Sequence, residues 1–114
     1  MKLGFLFLLF LFVSCQPKVN DPKIIFVPVE ICKVDNKVCV EYIFPSYLNE
    51  SLCQSEGSRY AGSSAVLTKN SSCPQQNVAG KCARSSDKIY YYLSDFTAGH
   101  AQTECNSRSG TFEQ

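Results

Sequence analysis

The chain has 114 residues, seven of them cysteine, and 11 basic residues against 10 acidic ones, for a formal net charge of +1. A balance so near zero, with no block of one sign, excludes the basic stripe of a nucleic-acid binder. A single histidine, no C-x-x-C pair and no two cysteines closer than i,i+7 exclude the usual zinc-ligand spacings and a thioredoxin-type redox motif, so no cofactor or metal is expected.

Residues 1–14 read as a signal peptide. Lys2 supplies the positive start, residues 3–13 form an uninterrupted apolar run, and Ser14 closes it. Eleven apolar residues are signal-peptide length, and they fall short of the ~20 needed to span a bilayer as a helix. The tetrad Phe12-Val13-Ser14-Cys15 resembles the lipobox of bacterial lipoproteins, with Phe12 where leucine is usual. The resemblance implies that the Cys15 thiol becomes a thioether to diacylglycerol and that cleavage frees its amine for a further acyl chain. The membrane is then a partner through Cys15. The next residue is Gln16 rather than Asp, which under the sorting rule of enteric bacteria favours the outer membrane over the inner.

Residues 15–28 read as a flexible tether, punctuated by Pro17, Pro22 and Pro28, although Ile24-Ile25-Phe26-Val27 is apolar and β-prone. Residues 29–114 then form the folded domain. Without Lys2 the exported chain has ten basic and ten acidic residues, and a core of this size needs staples. Six cysteines in an exported chain are read as disulfides. Ile31-Cys32-Lys33-Val34 and Lys37-Val38-Cys39-Val40 flank Asp35-Asn36, which predicts a β-hairpin with a two-residue turn. That turn sets Cys32 opposite Cys39. Residues 46–52 are expected to form two helical turns leading into Cys53, and residues 57–72, rich in Ser and Gly, read as a mobile loop.

The second half repeats this grammar. Cys73 and Cys82 are followed by the aromatic strand Ile89-Tyr90-Tyr91-Tyr92-Leu93, then by a helix capped by Thr97 over residues 98–104, then by Cys105 and Phe112. Aligning residues 32–60 with 73–112 predicts an α+β fold, a small disulfide-rich domain of two units, each a β-hairpin plus a short helix. On that symmetry Cys32 pairs with Cys39 and Cys73 with Cys82, while Cys53 and Cys105 join the halves.

The landmarks Cys73-Pro74, Gly80, Cys82, the Tyr90–Tyr92 run, Ala101, Cys105 and Gly110-Thr111-Phe112 also resemble a short Cys-rich module of uncharacterised bacterial surface lipoproteins, with Phe112 where that module commonly has Trp. The resemblance implies location and disulfide architecture, and no activity.

The residues with chemistry are few. Every cysteine after Cys15 has a use as a disulfide, no Gly-x-Ser-x-Gly elbow is present, and His100 is expected on an exposed helix, so the chain is not expected to be an enzyme. Tyr90 and Tyr92 share one face of a strand and Tyr91 takes the other. Tyrosine is large, stiff and amphipathic, so this run is a candidate contact surface. The expected function is that of a lipid-anchored cell-envelope lipoprotein with a binding or structural role. The alternative is an inhibitor of an exogenous hydrolase, of protease or lysozyme type, projecting an ordered loop from residues 57–72.

Overall fold

The computed structural model describes residues 30–114. The leader, Cys15 and the tether lie outside the described residues. From Glu30 the chain runs β1 (Glu30–Val34), β2 (Val38–Tyr42), α1 (Asn49–Ser58), β3 (Ala65–Lys69), β4 (Val78–Ala83), β5 (Asp87–Tyr92), α2 (Ala98–Ser107) and β6 (Thr111–Glu113). The six strands make one antiparallel sheet in the order β3-β1-β2-β5-β4-β6. The fold is α+β and disulfide-rich, with two hairpin-plus-helix units.

The first hairpin fixes the face of every side chain in it. Val34 pairs with Val38, so the turn has three residues, with Asp35 in the left-handed region at φ 47°. Cys32 therefore stands opposite Val40, and Cys39 opposite Lys33. One residue more than the expected turn slips the register by one and sends Cys32 and Cys39 to opposite faces of the sheet. Their expected pairing is thus overturned. Cys32 bonds Cys53 in α1, and Cys39 bonds Cys73. The expected Cys73–Cys82 and Cys53–Cys105 bonds fall with it. Cys73 precedes β4 instead of sitting in a hairpin strand, and Cys82 bonds Cys105 in α2.

Both helices lie on one face. Cys32, Val34, Val38, Val40, Tyr42, Cys82, Ile89 and Tyr91 point into that layer and meet Cys53, Phe96, Ala101 and Cys105. The sheet order reads as a palindrome about the β2–β5 pair. Val40 pairs with Ile89 at its centre, Tyr42 with Asp87 and Val38 with Tyr91, so Tyr42 and Tyr91 occupy equivalent places. Each ββαβ unit staples its first strand to its helix, Cys32–Cys53 at a separation of 21 and Cys82–Cys105 at 23, both with Cα atoms 5.4 Å apart. The equivalent partner of Cys32 is therefore Cys82, and Cys39 and Cys73 have no counterparts in the second unit.

Residues 57–72, expected as a mobile loop, hold the end of α1, a turn and the edge strand β3. Its Ala65 and Leu67 pack inward. Residues 70–77 then carry the chain across the open face of the sheet to β4. Ile31, Cys39 and Tyr90 are buried beneath this crossover with Cys73.

Candidate functional site

The tyrosine run divides as the strand period requires. Tyr91 is fully buried on the helix side, with its ring edge-on to Phe96 at 4.9 Å. Tyr90, 4 % exposed, and the half-buried Tyr92 face the crossover. The Tyr90 hydroxyl donates to Glu41 Oε1 at 3.1 Å and accepts from Gln75 Nε2 at 3.1 Å. The Tyr92 hydroxyl donates to the Pro74 carbonyl at 2.8 Å. Glu41 Oε2 also accepts the Cys73 amide at 3.0 Å. These groups strap residues 73–75 to the sheet beside the Cys39–Cys73 bond. Tyr90 and Tyr91 are committed to packing, so of the contact surface expected of the run only Tyr92 keeps exposed area; burial raises the phenol pKa of all three.

The structure instead gathers charge at the seam between the helices, above the central strand pair. Arg108 of the α2 C-cap donates to both carboxylate oxygens of Glu56 in α1, at 2.6 and 2.7 Å. Both side chains are more than nine-tenths buried. Arg84 makes the same two-pronged contact with Asp87, at 2.8 and 2.7 Å. Burial alone would lower the Arg108 pKa, but the hydrogen bonds and charge of Glu56 reverse this and raise it. A cavity of about 270 Å³ opens beside these pairs, lined among others by Tyr42, Leu52, Arg59 and Arg84. The hydroxyls of Tyr60 and Tyr91 are buried without a hydrogen-bond partner. Arg108 lies near Tyr91 without the geometry to donate to it.

Burial, followed by the charges of Glu104 and Glu56, pushes the Tyr60 phenol up to about 12. Burial also raises Tyr42, with Glu56 and Asp87 adding to it. A folded phenol that holds its proton above the unfolded value of 10.0 adds stability that is intact below pH 10 and is lost as the pH climbs toward the folded value. Alkaline titration is therefore expected to show tyrosinate absorbance rising together with loss of the far-ultraviolet dichroism. Ionisation of all the tyrosines near pH 10 with the dichroism unchanged would contradict this.

His100 lies on the exposed face of α2, its ring 4.8 Å from that of Phe96. Its backbone amide is capped by the Thr97 hydroxyl at 3.1 Å, the N-cap expected there. On the crossover face a depression of about 330 Å³ is lined by Lys33, Asp35, Asn36, Gln76, Asn77 and Tyr92 among others. Among the described residues no three His, Cys, Asp or Glu side chains are grouped to hold a metal ion, and no helix is long and apolar enough to cross a membrane.

The seam residues Glu56, Arg84, Asp87 and Arg108 were not singled out from the sequence. Their signal was positional: Glu56 and Arg108 each stand three residues after the helix cysteine of their unit. No family model matches the chain, and comparison with curated proteins and with solved structures finds no match either.

Proposed function

We propose that the chain is a lipid-anchored protein of the bacterial cell envelope that acts by binding, with Cys15 as the anchor and the domain as a rigid, stapled head. The observation that carries this reading is the cysteine balance. The six cysteines of the domain pair among themselves, and Cys15, which directly follows the leader, is the one cysteine of seven outside these three bonds. Disulfides persist in oxidising compartments, so the pairing and the leader agree on export. Gln16 favours the outer membrane.

Metabolic labelling with palmitate tests the anchor. The wild-type protein takes the label, and its intact mass exceeds that of residues 15–114 by the acyl groups. The Cys15→Ser variant takes none. An unlabelled wild-type protein would overturn the reading.

Inhibition of an exogenous hydrolase remains the second reading, and one observation favours it. Among the described residues β3 pairs only with β1, so its outer edge offers extended backbone that a substrate groove can take as an added strand.

A further inference from the structure

We infer that the end of the domain nearest the tether lies against the bilayer, through an apolar patch formed by Phe44, Tyr47, Leu48 and Leu52. This rests on the lipid-anchor reading above. Phe44 is 62 % exposed, Tyr47 91 %, and Leu48 and Leu52 50 % each. Four such side chains fall within nine consecutive positions, from just past β2 to the first half of α1, and exposed apolar side chains concentrated on one segment mark a docking surface. Phenylalanine, tyrosine and leucine are the residues that settle at the boundary between headgroups and acyl chains.

The position of the patch selects the occupant. The tether joins the sheet at Glu30, which pairs with Tyr42 on one side and Lys69 on the other. The buried Asn49 side chain donates both to the Glu30 carboxylate and to the Phe44 carbonyl, the latter at 3.1 Å. The point where the anchored chain arrives is thus bolted to the loop that bears the patch. Only residues 16–29 separate Cys15 from that point. Fully extended, fourteen residues reach less than about 50 Å, so the anchor keeps this end of the domain at high effective concentration beside the membrane. A weak interfacial affinity then suffices to hold it there. The four patch side chains carry no charge, so the contact is apolar and survives high salt.

The chain has no tryptophan, which makes the test direct. The full lipidated chain carrying Tyr47→Trp is inserted into phosphatidylcholine vesicles with and without brominated acyl chains. Its counterpart carries Leu93→Trp, a residue 57 % exposed that follows β5 at the opposite end of the sheet. The Tyr47→Trp indole is expected to shift to the blue in vesicles and to be quenched roughly two-fold or more by the brominated lipid. The Leu93→Trp indole is expected to do neither. Equal quenching at both sites, or at neither, would overturn the proposal. An indole at position 47 already blue-shifted in detergent-free buffer, and unquenched in vesicles, would place residues 24–27 or a second copy on the patch, and would overturn it too. Acyl mass and vesicle sedimentation, measured on the same samples, separate the two readings. A chain without acyl mass refutes the anchor, whereas an acylated, vesicle-bound chain with an unquenched indole refutes only the docking.

Discussion

Removing the Cys39–Cys73 bond by paired substitution to alanine is expected to destabilise the domain by about 4 kcal/mol, the largest loss from any one bridge. The bond spans 34 residues, against 21 and 23 for the other two, and the loop-closure contribution grows slowly with length, giving roughly 3 kcal/mol for each shorter bridge. Together the three approach 10 kcal/mol, which is the whole stability of a typical small domain. The composition of the core points the same way. Of its large side chains with almost no exposure, six are half-cystines, and the remainder are Tyr91, Ile89 and three valines. In this domain the disulfides are much of the core as well as its staples. A chain reduced in urea and diluted into reductant should therefore show no sheet dichroism and no cooperative melt. For Cys39→Ala/Cys73→Ala in the otherwise oxidised chain, the midpoint of thermal unfolding should fall by about 15–30 °C. A reduced chain that still melts cooperatively would show that the apolar contacts suffice alone.

Elements were legible in the sequence where local chemistry alone decides them. Thr97 caps α2 because its hydroxyl accepts an amide of the first turn. The alternation through Ile89, Tyr90 and Tyr91 fixed which tyrosine faces which layer. The pairing of the cysteines was not legible, because it turns on one residue. Whether the first turn holds two residues or three decides on which face Cys32 and Cys39 lie, and Asp35 accepts the left-handed conformation of the longer turn.

Helix α1 was misplaced toward residues 46–52 for a different reason. Its buried positions are Asn49, Cys53, Glu56 and Gly57. The spacing is helical, but the residues are not the apolar ones by which such a face is recognised, while Leu48 and Leu52 face solvent. Each buried residue is there for a contact distant in sequence: Asn49 for Glu30, Cys53 for Cys32, Glu56 for Arg108. Gly57 is there because a Cβ would stand 2.7 Å from that of Ala65. β3 was missed for a like reason. Its inward residues are only Ala65 and Leu67, and the Ser- and Gly-rich flanks read as loop.

The seam supplies the other large effect. Arg108→Ala should cost about 3–5 kcal/mol, because it strands the Glu56 carboxylate in a buried site. Arg59 does not replace the lost partner: it stays nearly half exposed and its Nε is 4.0 Å from Glu56. Arg108→Lys should rescue little, since an ammonium cannot span both carboxylate oxygens. Removing both charges, as in Glu56→Met/Arg108→Met, should recover most of the loss, since an apolar pair of similar volume carries no desolvation cost. Denaturant unfolding of the four corners of this cycle gives the coupling directly. Single variants within about 1 kcal/mol of wild type, or a double variant whose loss equals the sum of the singles, would refute the assignment. The cycle also tests the two-fold layout of the fold. Glu56 and Arg108 hold the same place in the two ββαβ units, three residues beyond the stapled helix cysteine, and carry opposite signs. Neither unit can neutralise its own buried charge at that place, so each unit satisfies the other and the two halves fold as one.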